Sequence, residues 1–111
     1  MSETELPKPP RIHDEFVETF PDLADAWSSM AAAGEVGPID QKAMRLIKLA
    51  VAMGAMREGA VHASVRKALA LGITKSEIHQ VVALASSTIG LPAAAACFSW
   101  VSDGDASREE D

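Results

Sequence analysis

One cysteine, no tyrosine, two tryptophans and three phenylalanines are all that 111 residues hold of these types. A lone thiol excludes an intrachain disulfide and any metal centre built on several thiolates. An aromatic content of 5% leaves few large side chains to fill a core. Positive charge is scarce too: ten Lys and Arg stand against sixteen Asp and Glu, a net charge of −6, and the acidic residues gather towards the two ends. No basic stripe is present to neutralise phosphates, which argues against nucleic acid as a partner. Long apolar runs are missing. The longest, LIKLAVAMGAM from Leu46 to Met56, is about half the ~20 residues that span a bilayer, and Lys48 interrupts it. A buried helix is expected there, and no membrane partner. The opening residues MSETELPKPP hold no apolar leader-like stretch, which together with the single thiol predicts a reducing, cytoplasmic setting. The three histidines show no metal-ligand spacing, so neither metal nor cofactor is expected.

What the chain does have is small apolar residues. Its hydrophobic fraction is 48%, yet twenty of those residues are alanine and only eight are leucine. Alanine favours helix and lets helices approach closely, but it contributes little at roughly 25 cal/mol per Å² of buried apolar area. A domain of this size and composition gains from a partner surface, so a homo-oligomer is expected.

The apolar spacing predicts about six helices and no strand. Residues 1–10 are polar and proline-rich and read as an extended or disordered arm. RIHDEFVETF places Ile12, Phe16, Val17 and Phe20 at helical spacing, and Pro21 closes or kinks that segment. PDLADAWSSMAAAG sets Leu23, Ala26, Trp27 and Met30 on one face, up to Gly34. Asp40 is placed to cap the next helix, which runs to about Met56 and reads as the most enclosed one. A fourth helix, from about Glu58 to Leu71, ends at Gly72. In ITKSEI, Thr74 and Glu77 form a capping box and Ile73 and Ile78 a hydrophobic staple. Helix five follows, then a sixth opening at Pro92 and reaching about Val101. One helical domain over 11–102 and a solvated acidic tail over 103–111 are expected: an all-α fold round an antiparallel helical hairpin.

The stretch DQKAMRLIKLAVAMGAMREGAVHASVRKALALGITKSEIHQVV, followed by GLPAAAACFSWV, resembles the carboxymuconolactone decarboxylase family, which includes the alkylhydroperoxidase D proteins. The resemblance spans roughly 39–101. It implies an all-helical unit assembled into trimers or hexamers, with sites between or beside subunits. The redox branch of the family carries two cysteines three apart at the start of the fourth helix, a histidine four residues later and a carboxylate twelve residues before the first cysteine. Those positions fall here on Arg57, Ala60, Ser64 and Arg45. None matches, so dithiol peroxidase chemistry, which needs a low-pKa thiolate and a resolving thiol, does not carry over. Cys97, within AAAACFSW, reads as a small buried hydrophobe.

Glu58, His62 and Arg66 stand four residues apart and so follow one flank of the fourth helix. A carboxylate beside an imidazole orients the ring for general acid or base work, and an arginine nearby suits an anionic substrate. The same row also reads as surface charge pairs worth a few tenths of a kcal/mol each. Arg57 and Ser64 fall near the apolar stripe and either line a cleft, with Arg45 adding charge to it, or serve locally: Arg57 opening its helix from solvent, Ser64 bonding back to the preceding turn. The candidate catalytic residues are therefore His62 and Glu58, and the candidate substrate-binding residues Arg57, Arg45, Ser64 and Arg66. Two functions remain open: lyase-type proton transfer on a small anionic organic acid, or a catalytically inactive oligomeric scaffold of the same fold. Alkylhydroperoxidase activity is a weaker third.

Overall fold

Local chemistry sets the helix boundaries in the computed structural model, which describes residues 11–110, with side chains as far as Asp103. Among the described residues there are six helices and no strand: α1 (Arg11–Thr19), α2 (Pro21–Gly34), α3 (Gln41–Gly54), α4 (Glu58–Ala70), α5 (Lys75–Ile89) and α6 (Leu91–Glu110). The Asp40 carboxylate accepts from the Ala43 amide at 2.7 Å and starts α3. Thr74 and Glu77 complete their capping box at α5: the Glu77 amide donates to Thr74 Oγ1 at 3.1 Å and the Thr74 amide to Glu77 Oε1 at 2.9 Å. Helix α6 opens at Leu91, with Pro92 second rather than first, and its backbone continues past Val101 to Glu110. No proline follows Pro92, and Gly104 alone does not stop the helix.

The chain divides between Pro38 and Ile39 into two units. The first contains α1 and α2, where Phe16 and Phe20 hold their ring centroids 5.3 Å apart. No residue of either helix is buried. Trp27 is 63% exposed.

In the second unit, α3 and α4 form a helical hairpin, α3 also packs on α5, and α6 packs on both α4 and α5. Leu49 and Met53 of α3, Val61 of α4, Ile78 of α5, and Cys97 and Val101 of α6 are fully buried between them. Each large aliphatic enclosed in this way stabilises by about 1.5–3 kcal/mol. Ile73 and Ile78 are both buried, and Trp100 lies half-buried against the cluster. Helix α3 is less enclosed than its composition suggests, because it leaves Ile47 and Val51 outward.

Two helix ends in this unit share one geometry. The Gly72 amide donates to Leu69 O and the Ile73 amide to Ala68 O, each at 3.0 Å, with Gly72 at φ 96°. At the end of α3, the Met56 amide donates to Met53 O at 2.9 Å and the Arg57 amide to Ala52 O at 3.1 Å, with Met56 at φ 55°. Both are Schellman motifs.

Candidate functional site

The short turn after α3 delivers the chain into α4 at Arg57, whose backbone is extended (φ −101°, ψ 93°) and whose side chain makes no cap. Glu58 then occupies the first helical position, and His62 follows one turn later. Their side chains meet: His62 Nε2 lies 3.3 Å from Glu58 Oε2, a long hydrogen bond in which the ring N–H donates. An ionised carboxylate only accepts, so the contact favours the neutral tautomer with its proton on Nε2 and Nδ1 left to accept. The His62 side chain is 33% exposed and that of Glu58 58%.

The other candidates are not gathered round this pair. Arg66 continues the same face, 40° round from His62 and one turn further, and is exposed. Ser64 is two residues from His62, hence about 200° round the helix, and only 7% exposed. Ser86 and Ser99 bond back to Ala83 O and Ala96 O at 2.7 and 2.8 Å, whereas among the described residues Ser64 Oγ has no hydrogen-bond partner. Arg57 is exposed at the head of α4. Arg45 is half-buried on α3, nine residues before Gly54 and thus about 14 Å along the axis from the turn that carries Arg57. One copy of the chain therefore joins Glu58 to His62, with Arg66 on the same face of α4 and Ser64 on the other.

Sequence reasoning missed two features. The first is an open groove of about 450 Å³ between α3 and α5, lined by Leu46, Ile47, Ala50, Val81, Leu84 and Ala85, with Glu77 and Gln80 also in its wall. Its sequence signal was the outward apolar pair Ile47 and Leu84, 47% and 68% exposed. The second is an ion pair between Lys42 and Glu77, which ties the start of α3 to the start of α5. The Lys42 ammonium, and after it the Thr74 amide, hold the Glu77 carboxyl below the usual glutamate range.

Cys97 is fully enclosed, with Sγ 3.8 Å from Met53 O. Burial pushes its thiol above the ordinary range, the opposite of what a reactive thiolate requires. Among the described residues no group of three or more His, Cys, Asp or Glu could hold a metal ion, and no helix is long and apolar enough to cross a membrane.

The family model for the carboxymuconolactone decarboxylase family matches residues 21–103. The chain belongs to the carboxymuconolactone decarboxylase family. Its fold is similar to the crystal structure of a family member from Legionella pneumophila, in the apo form, with a TM-score of 0.75 and 24% identity over 83% of each chain. A likeness at that identity establishes the fold. No curated protein sequence matches the chain. The matched span runs across the division at Pro38 and takes in α2 as well as the four-helix unit. As expected from its single cysteine, this family member lacks the paired cysteines of the redox branch.

Proposed function

We propose that this family member acts without a redox dithiol and carries out proton-transfer, lyase-type chemistry on a small anionic organic acid. The observation that carries the reading is the Glu58–His62 contact, a carboxylate beside an imidazole on a partly exposed helix face. His62 acts as acid or base, Glu58 orients it, and the substrate's charge is met by groups from the set Arg45, Arg57, Ser64 and Arg66. In loss of carbon dioxide, the C–C bond breaks, its electron pair stays on the carbon, and a protonated His62 returns a proton there. The buried Cys97 supports the exclusion of thiol peroxide chemistry. The alanine-rich composition and the outward Ile47, Val51 and Leu84 support a homo-oligomer, trimeric or hexameric in line with the family resemblance. A cytoplasmic location is part of the same proposal.

Turnover of lactone acids by the pure protein, with His62→Ala alongside, tests this. The expected result is a loss of at least a hundredfold in the variant, and unchanged turnover removes His62 from the mechanism. The open apolar groove between α3 and α5, which none of the candidate residues lines, favours a second reading as a binding or scaffold module. A crystal soaked with a lactone acid separates the two: density beside His62 supports the enzyme, and an unbound helix face supports the scaffold.

A further inference from the structure

The proton-transfer reading leaves open which group holds the substrate's charge, and the placement of α4 side chains answers that. Of the four candidate groups, Arg66 is the one that follows Glu58 and His62 along α4 at the same spacing of four. It stands four residues beyond His62, about 6 Å along the axis. Long side chains on a helix lean towards its N-terminus, the direction in which His62 lies from Arg66. Its charge is uncommitted: among the described residues no carboxylate pairs with it, and the nearest acidic group on that face, Glu58, is engaged by His62. Ser64 lies on the opposite side of the helix, and Arg45 belongs to α3.

We propose that Arg66 is the specificity-determining residue of the site and grips a carboxylate of the substrate through its two-pronged guanidinium. This rests on the proton-transfer reading and adds a length rule to it. With the Cβ atoms of i,i+4 neighbours such as His62 and Arg66 about 5–6 Å apart, the two side chains together suit a small acid whose carboxylate sits two to four bonds from the carbon that exchanges its proton. That carbon adjoins a carbonyl. Acting as base, the direction opposite to its protonation of the carbon in decarboxylation, neutral His62 takes the proton on Nδ1 as the C–H bond breaks, and the electron pair moves into the carbonyl as an enolate. The reverse step restores the acid, with no oxidant or reductant involved.

A homologous series of keto acids is the probe: acetoacetate, levulinate, 5-oxohexanoate and 7-oxooctanoate, with one, two, three and five bonds between the carboxyl carbon and the nearer exchanging carbon. Binding is read from the His62 ring signals by NMR on the full chain, independently of turnover. Levulinate and 5-oxohexanoate are expected to give saturable shifts, and the shortest and longest acids at least tenfold weaker ones. Arg66→Gln weakens levulinate binding at least tenfold, Arg66→Lys restores part of it, and Lys67→Gln, on another face, changes it less than twofold. Absence of a saturable shift in the parent protein, equal loss in Lys67→Gln, or intact binding in Arg66→Gln overturns the proposal. Melting temperatures of the variants within about 2 °C of the parent confirm that the fold is intact. Failure of the proton-transfer reading shows separately, as turnover that survives His62→Ala.

Discussion

Met56 occupies, at the end of α3, the same left-handed position that Gly72 occupies at the end of α4. Both residues donate into a Schellman motif, yet only Gly72 does so without a Cβ against the following carbonyl. Met56→Gly is therefore expected to stabilise the protein by up to about 1 kcal/mol, and Gly72→Ala to destabilise it by a similar amount. A Cβ at Gly72 meets nothing within 4 Å, so the second effect is purely one of backbone. Thermal melts check both, with shifts of about 4–8 °C in opposite directions. Equal melting temperatures for Met56→Gly and the parent refute the strain.

Ser64→Ala is expected to raise stability by about 1 kcal/mol. Its hydroxyl is enclosed without a partner among the described residues, and removing such a group returns its desolvation cost. Urea denaturation decides the point: a lower midpoint for the alanine variant means the hydroxyl has a partner, such as an ordered water.

Thr74→Ala removes the hydroxyl that accepts from the Glu77 amide and is expected to cost about 1 kcal/mol. Glu77 adds an acid limb to the stability profile. Its folded-state pKa lies below its unfolded value, so its contribution is present above the ordinary glutamate value, about 4.3, and is lost as pH falls through the depressed one. Glu77→Gln flattens that limb, whereas a limb of unchanged steepness assigns it to other carboxylates.

Cys97 carries the opposite sign. Its folded-state pKa is raised by burial, so its contribution is complete below the ordinary thiol range and disappears as pH rises through the elevated value. Alkylation by iodoacetamide at pH 7 is expected to be at least a hundredfold slower in the native protein than in urea. Comparable rates mean that the thiol is reached from solvent.

What the sequence disclosed was local. Asp40, Thr74, Glu77 and Gly72 act within one turn of their own positions, and each behaves as its residue type predicts. The Glu58–His62 contact follows from a spacing of four in the same way. Met56 was illegible, because methionine carries no left-handed preference; the nearby Gly54 and Gly59 offer more obvious hinges. Ser64 and His62 lie within three residues of one another in a linear reading, yet the helix turns them to opposite sides. The α3–α5 groove and the Lys42–Glu77 tie needed the packing of helices more than thirty residues apart, which periodicity within each helix does not encode.

The enclosure of Cys97 makes the native chain almost blind to maleimide chemistry. A cysteine introduced at an exposed position, as in Ser76→Cys, becomes the sole fast-reacting handle, so fluorophores or spin labels can be attached one at a time without first deleting the natural thiol and disturbing the interior it fills.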